Sequence, residues 1–194
     1  MYNPRMVTAG SARKLTYDDL LAMPDDGLRH EIIDGVLYVS PSPSRPHQFT
    51  LGKLHQAIAN FLDAHPLGEV YLAPFDVVFT RHDVVEPDLL FVTAARLAVL
   101  TDRNVSGSPD LAVEVLSPST RRVDLELKRD LFERESVAEY WVIDPIAGTI
   151  VVHRKEGARF TQGSGLSLEN GDRLRSSLLP GFEVSLERLF RSTK

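Results

Sequence analysis

The segment that most constrains the fold of this chain runs from Asp110 to Lys128 and reads DLAVEVLSPSTRRVDLELK. Its first part, Asp110 to Leu116, is apolar on both alternating faces, which is typical of a strand in the middle of a sheet. Glu114 interrupts that strand. Because a buried carboxylate is costly unless it is paired or binds a metal ion, Glu114 is the first candidate for a functional residue.

The segment then turns at Ser117-Pro118 and is predicted to enter a helix with Ser119 or Thr120 as its N-cap. At about 100° per residue, this helix has one broad apolar arc, which consists of Val123, Leu125, Leu127, Leu131 and Phe132. Lys128 lies within the arc. The strand glutamate and the helix lysine are therefore both predicted to face buried space from adjacent elements.

A second acidic position, Asp88, lies in the apolar segment from Val84 to Val92, directly after Pro87. The segment is predicted to be a strand that the Pro-Asp pair interrupts near its start. An aspartate after a proline can simply end a loop. A role for Asp88 therefore depends on its relation to Glu114.

Pro87-Asp88, followed by Glu114 on the next major strand, resembles the motif of the PD-(D/E)XK nuclease superfamily, which has the restriction endonuclease-like fold. That motif has a lysine after the second carboxylate, at the position where this chain has Leu116. The departure resembles a subgroup in which the lysine has moved to the following helix, where Lys128 stands. With the segments EPDLLFV, VEVLSPST and EYWVIDP, the chain is similar to the Uma-two family of bacterial restriction endonuclease-like proteins, over roughly residues 15–190.

The resemblance implies an α/β fold in which a central mixed β-sheet is flanked by helices and carries an N-terminal β-hairpin. It also implies a Mg²⁺- or Mn²⁺-dependent endonuclease that hydrolyses duplex DNA, as a homodimer if both strands are cut. Asp88, Glu114 and Lys128 would be catalytic residues of such an enzyme.

The residue types themselves suit this chemistry. Carboxylate oxygens bind Mg²⁺ and Mn²⁺, and such an ion lowers the pKa of its bound water. Asp88 and Glu114 are therefore expected as metal ligands, together with the backbone carbonyl of Val115. Lys128 is expected to orient the water or to offset the charge of the transition state. An ordinary helix ion pair with Asp124, one turn earlier, would account for Lys128 without any catalytic role.

Three further residues are candidates on weaker grounds. The Asp34-Gly35 turn predicts a hairpin that places Glu31 opposite Tyr38. Glu31 is then either an exposed hairpin residue or the additional catalytic carboxylate that members of the superfamily often supply from their first elements. His47 and Gln48 open a predicted helix and are candidates for substrate binding, although polar residues are also common at helix starts.

The rest of the chain supplies ordinary α/β elements. A capping box at Thr16 and Asp19 predicts a short helix, and a longer helix is predicted from His47 to about Ala64. Strands are predicted at Glu69–Leu72, Phe75–Thr80, Glu139–Asp144, Thr149–His153 and Arg159–Thr161. Loops are predicted at Thr101–Pro109 and Gly163–Gly165, and a final short helix is predicted at Leu186–Phe190.

Composition narrows the class of protein. The chain has 194 residues and no cysteine, which removes disulfides and thiolate metal sites and fits a reducing cytoplasm. No apolar run approaches the roughly 18 residues that a membrane helix needs, so no membrane partner is expected. We expect a loose tail over residues 1–14 and a single domain over residues 15–194.

The formal net charge of −5 counts against strong non-specific attraction to nucleic acid. A bound metal ion would offset part of that charge, and basic residues can still gather locally. The displaced motif lysine and the acidic charge keep a second hypothesis open. On this hypothesis the chain is a non-catalytic nucleic-acid-binding or regulatory module on the same fold.

Overall fold

A computed structural model describes residues 13–161 and 163–191 of the chain. Nearly all of the predicted N-terminal tail, residues 1–14, lies outside this part. The strands are β1 (Arg29–Ile33), β2 (Val36–Ser40), β3 (Gly68–Leu72), β4 (Asp76–Thr80), β5 (Asp83–Val85), β6 (Leu89–Thr93), β7 (Asn104–Ser106), β8 (Leu111–Val115), β9 (Glu139–Asp144), β10 (Thr149–Glu156), β11 (Arg159–Phe160), β12 (Ser164–Ser167), β13 (Arg173–Arg175) and β14 (Glu183–Ser185). The helices are α1 (Tyr17–Leu21), α2 (Arg45–Ala64), α3 (Arg129–Arg134) and α4 (Leu186–Phe190), with a 3₁₀ helix at Ala94–Val99 and a π-helix, Val123–Lys128, that runs directly into α3.

The central strand of the structure is β8, as the sequence predicts. All of its residues are buried, and it pairs in parallel with β9 and antiparallel with β6. These strands belong to a mixed sheet of seven strands, in the order β11-β10-β9-β8-β6-β3, with β12 also paired to β10. A second sheet of five strands has the order β2-β1-β5-β4-β7.

The N-terminal hairpin consists of β1 and β2, which turn at Asp34-Gly35. The φ angles of these two residues are +53° and +77°, as a two-residue turn of type I′ requires. Glu31 pairs with Tyr38, which confirms the predicted register. The other neighbour of β1 is β5, so the hairpin lies beside the segment that leads into the Pro-Asp pair.

Two apolar cores cover the two faces of β8. The odd-numbered residues from Leu111 to Val115 belong to the core that also contains residues of α2 and α4. Ala112 and Leu116 belong to the other core, together with residues of α3. Because side chains alternate along a strand, Glu114 shares the face of Ala112 and Leu116. The glutamate therefore points to the side of the sheet that α3 covers.

Several other sequence predictions are confirmed with small shifts. The capping box at Thr16 is present, and the last helix has the predicted bounds. α2 begins at Arg45 instead of His47, because Pro46 fits the first helical turn, where its missing N–H costs nothing. Among the described helices, none is long and apolar enough to span a membrane.

Two predicted loops were wrong. The segment 101–109 contains β7, which lies parallel to β4, and the segment 163–165 runs into β12, which pairs antiparallel with β10. Both strands are short and mostly polar, so backbone hydrogen bonds define them and an apolar pattern does not reveal them. Gly163 lets the backbone approach β10 closely, because a Cβ at this position would overlap the side chain of Val151.

Glu139 shows how the fold accommodates a buried charge away from the candidate site. This residue begins β9, and its carboxylate accepts hydrogen bonds from Trp141 Nε1 at 2.9 Å, Ser176 Oγ at 3.0 Å and the Ser177 amide at 2.9 Å. Glu139 therefore joins β9 to the segment between β13 and β14.

Glu139→Ala should lower the free energy of unfolding by about 3 kcal/mol or more, because several buried donors would lose their acceptor at once. Urea denaturation followed by circular dichroism measures this change. Glu169→Ala, at an exposed position, should change the free energy of unfolding by about 0.5 kcal/mol or less. Equal losses in the two variants would contradict the structural role of Glu139.

Candidate active site

Lys128 carries a positive charge in the interior of the protein, with 1% of its surface exposed. Its Nζ lies 2.7 Å from Glu31 Oε1, 2.7 Å from Glu114 Oε1 and 3.8 Å from Asp124 Oδ1. Burial alone would lower the pKa of this ammonium group, but the three carboxylates raise it above its ordinary value. Lys128 therefore stays charged, and its burial confirms the predicted direction of its side chain.

A π-helix brings Lys128 and Asp124 to this position. It spans Val123–Lys128, and both charged side chains are buried there. The prediction of a regular helix, at about 100° per residue, was therefore wrong in this segment. π-Helical turns are rare and occur frequently at functional sites.

The helical residues begin at Arg121, so Thr120 takes one of the two predicted N-cap positions, and its carbonyl accepts the amide of Asp124 at 3.0 Å. A turn that starts at Ser117 leads into this helix. The carbonyl of Ser117 accepts the amide of Arg121 at 3.1 Å, and its Oγ accepts the amide of Thr120 at 3.3 Å. Pro118 fits the start of this turn, because its missing N–H leaves no donor without a partner there.

Asp88 is held by three donors. Arg29 Nη2 lies 2.8 Å from Oδ1, while His47 Nε2 at 3.0 Å and the Val115 amide at 2.8 Å contact Oδ2. Burial would raise the pKa of Asp88, but the hydrogen bond from His47 and the charge of Arg29 bring it below its ordinary value. Asp88 is therefore an ionised carboxylate that can only accept hydrogen bonds, so the proton of the His47 contact resides on Nε2.

Strand β1 holds the chain directly before Asp88. Glu31 Oε1 accepts the backbone amide of Glu86 at 2.8 Å, and Arg29 Nη1 donates to the Glu86 carbonyl at 3.1 Å. Arg29 and Glu31 share one face of β1, because alternate residues of a strand point the same way. That spacing is the signal by which Arg29, a residue that sequence reasoning missed, could have been found.

These side chains meet in one small cleft of about 30 Å³. The residues that line it are Arg29, Glu31, Ser40, Pro41, Pro43, His47, Asp88, Glu114, Val115, Ser117, Thr120, Asp124 and Lys128. Every predicted site residue except the exposed Gln48 is among them. His47 is only 4% exposed, and its Nδ1 has no hydrogen-bond partner among the residues that the structure describes.

We use the term acidic cluster for four buried carboxylates: Glu31, Asp88, Glu114 and Asp124. Of the described lysine and arginine residues, two, Lys128 and Arg29, form ion pairs with these carboxylates, so the fully ionised cluster with these partners carries an excess of two negative charges. Burial raises the pKa of Glu114 well above its ordinary value; Lys128 opposes this shift, and the neighbouring carboxylates add to it. Burial likewise raises the pKa of Asp124 to about 6.

The acidic cluster has the donor types that a divalent cation needs. Among the described residues, no three His, Cys, Asp or Glu side chains are placed to hold a metal ion by themselves. Mg²⁺ commonly takes only one or two protein carboxylates and completes its shell with water and substrate phosphate. Asp88, Glu114 and the Val115 carbonyl fit that requirement in type, and the two excess negative charges match a divalent ion.

Comparison with known proteins identifies relatives of the chain. Residues 17–187 match the family model Uma2, which is described as putative restriction endonuclease. The solved structure of a putative nuclease belonging to DUF820, from Anabaena variabilis, is 19% identical and has a TM-score of 0.76, over 91% of this chain and 97% of that chain. At this identity the likeness concerns the fold, and it confirms the predicted restriction endonuclease-like architecture. A comparison with curated proteins found no match.

Lys128→Met should lower the free energy of unfolding of the metal-free protein by about 3–5 kcal/mol, because two buried carboxylates would lose their partner. Urea denaturation in the presence of a chelator measures this change. The control is Arg122→Met, which removes an exposed ion pair with Glu126 from the same helix. It should cost about 0.5 kcal/mol or less, and an equally small cost for Lys128→Met would contradict the buried pairing.

The free energy of unfolding of the metal-free protein should fall as the pH rises from about 5 to 8. Burial raises the pKa of Asp124 to about 6 and, together with the charges of Asp76 and Glu31, that of Glu86 to about 7. A carboxyl group with a raised folded-state pKa contributes stability below its unfolded pKa and loses it as the pH passes the folded value. Asp88, with its lowered pKa, contributes a constant amount over this range.

The variant Asp124→Asn isolates the contribution of Asp124 to this pH profile. The variant must be compared with the wild type, because His153 has the opposite effect on stability. Burial lowers the pKa of His153 from 6.5, so its contribution to the free energy of unfolding rises with pH. Urea midpoints measured across the pH range should show a flatter profile near pH 6 for Asp124→Asn. An unchanged profile in this variant would contradict the raised pKa of Asp124.

Proposed function

Because the chain belongs to the Uma2 family of putative restriction endonucleases, we propose that it is a Mg²⁺- or Mn²⁺-dependent endonuclease that hydrolyses phosphodiester bonds in duplex DNA. One observation carries this proposal. The carboxylates of Asp88 and Glu114 and the ammonium group of Lys128 line the same cleft. These are the residue types that metal-assisted hydrolysis of a phosphodiester requires.

Asp88, Glu114 and the carbonyl of Val115 would hold the cation. Asp88 is suited to this role because its lowered pKa keeps it ionised and three donors fix its position. Glu114 retains a proton more readily than an ordinary glutamate, so ligation would release that proton. The ion, when bound, would polarise the phosphoryl oxygen and lower the pKa of a water molecule.

Lys128 supplies the positive charge that assists the reaction. Its Nζ donates a hydrogen bond to Glu114 Oε1 at 2.7 Å and forms an ion pair with Glu31 Oε1 at the same distance. When Glu114 is engaged as a ligand, one N–H of Lys128 becomes available to the attacking water or to a phosphoryl oxygen in the transition state. Glu31 is itself fixed by the Glu86 amide, so we assign it the role of positioning Lys128.

The two residues at the start of α2 take different roles in this proposal. His47 acts through Asp88, because it is buried and its Nε2 bonds to the aspartate. Gln48 is exposed next to it in the chain and remains the candidate for contact with the substrate.

The proposed form of the enzyme is a cytoplasmic homodimer. Two copies of the domain predicted over residues 15–194 would place one such site at each strand of a duplex, so that both strands can be cut in one binding event. The absence of cysteine from the sequence fits a reducing cytoplasm.

Supercoiled plasmid should be nicked or linearised with Mg²⁺ or Mn²⁺, and not with Ca²⁺ or chelator, because Ca²⁺ binds oxygen ligands in a looser geometry. Lys128→Ala should lower the rate by about 100-fold, and by more than it weakens Mn²⁺ binding, because the ammonium group acts on the reacting atoms. Lys128→Arg should restore little activity, since a planar guanidinium does not replace a compact ammonium group.

Arg122→Ala is the matched control for this assay, because Arg122 is an exposed residue of the same helical segment, and it should keep the wild-type rate. Equal nicking by wild type and Asp88→Ala would indicate a contaminating nuclease. That result would favour a non-catalytic nucleic-acid-binding or regulatory module, for which carboxylates paired within the protein are sufficient.

A further inference from the structure

The hydrogen bonds of Asp88 leave only one of its oxygens open to a further ligand. A carboxylate offers about two lone pairs on each oxygen. Oδ2 already accepts from His47 Nε2 and from the Val115 amide, so both of its lone pairs are in use. Within residues 13–161 and 163–191, Oδ1 accepts a hydrogen bond from Arg29 Nη2 alone. A cation that reaches Asp88 must therefore bind Oδ1, beside or in place of the guanidinium group.

Arg29 is placed to give way at this oxygen. Its side chain is 22% exposed, whereas that of Asp88 is 2% exposed. Its second contact, from Nη1 to the Glu86 carbonyl at 3.1 Å, does not involve the carboxylate. The guanidinium can therefore leave Oδ1 toward the cleft, which it helps to line, and keep one of its anchors.

From this geometry we propose that Arg29 is the counter-ion of Asp88 in the metal-free protein and competes with the divalent cation for Oδ1, so that Arg29 sets the metal affinity of the site. This inference rests on the proposed function, since it concerns the same cation. It assigns Arg29 a role that differs from the roles of Lys128 and His47.

Electrostatics gives the direction of the effect. The guanidinium nitrogen lies 2.8 Å from Oδ1, and a metal ion would lie about 2.0–2.6 Å from the same oxygen. Two positive groups this close repel each other strongly in a buried site. An arginine cannot relieve that repulsion by losing its proton. Arg29 must therefore move, or the ion binds more weakly, and both routes reduce the measured affinity.

Mn²⁺ titration calorimetry on the full chain, without nucleic acid, tests this role. Arg29→Met removes the charge, and Arg29→Gln removes it while keeping a neutral donor for Asp88. Both variants should bind Mn²⁺ about tenfold more tightly than wild type or better. Arg29→Lys keeps the charge and should stay within about threefold of wild type. His47→Gln, which acts on Oδ2, should not tighten binding.

A thermal melt without metal accompanies each titration. Arg29→Met should melt at a lower temperature than wild type, because Asp88 loses its buried partner, whereas Arg29→Gln should remain folded and report the affinity if Arg29→Met does not. Adding Asp88→Asn to Arg29→Gln should abolish the gain in Mn²⁺ affinity.

The outcomes separate this inference from the proposed function. Unchanged or weaker Mn²⁺ binding by Arg29→Gln, beside measurable binding by wild type, would overturn the role of Arg29 and leave the proposed reaction intact. A complete lack of Mn²⁺ binding in wild type and in both uncharged variants would overturn the metal-dependent reaction and this inference together.

Discussion

The two buried ion pairs of Lys128 join the two larger sheets at the candidate site. Glu31 reaches it from the five-stranded sheet, and Glu114 reaches it from the seven-stranded sheet. Transfer of the lysine ammonium group or of a carboxylate from water to the protein interior costs several kcal/mol. The attraction between the opposite charges offsets that cost only when they are close and well hydrogen-bonded. Apolar residues would usually provide the same stability at lower cost. The arrangement therefore favours a role in chemistry, where a charge must stay at a fixed position.

The candidate site offsets its excess of negative charge in two ways. Lys128 and Arg29 supply positive charge, and the raised pKa values of Glu114 and Asp124 make these carboxyl groups bind protons more readily than ordinary ones do. A divalent ion would take the place of protons and of part of the arginine charge. The net charge of −5 is thus partly concentrated at the point where a cation is expected. On the proposed function, a bound ion would reduce the repulsion between this acidic site and the phosphates of a nucleic acid.

The sequence predicted the centre of the site better than its surroundings. Glu114 and Lys128 could be found because each is a charge within an apolar pattern, and such a charge has few structural uses. Arg29 could not be paired with Asp88 in the same way, because the contact joins residues 59 positions apart. It depends on how β1 lies beside β5, which no local pattern encodes. The π-helix was missed because a segment of six residues is too short for its apolar spacing to differ clearly from that of an α-helix.

The two contacts from β1 to position 86 use only the peptide groups of that position, one through its amide and one through its carbonyl. Selection that preserves these contacts acts on the side chains of Arg29 and Glu31 and on the backbone of residue 86. These two contacts therefore require only that residue 86 has an N–H, which excludes proline at this position. The framework of the site thus extends to position 86 through its backbone.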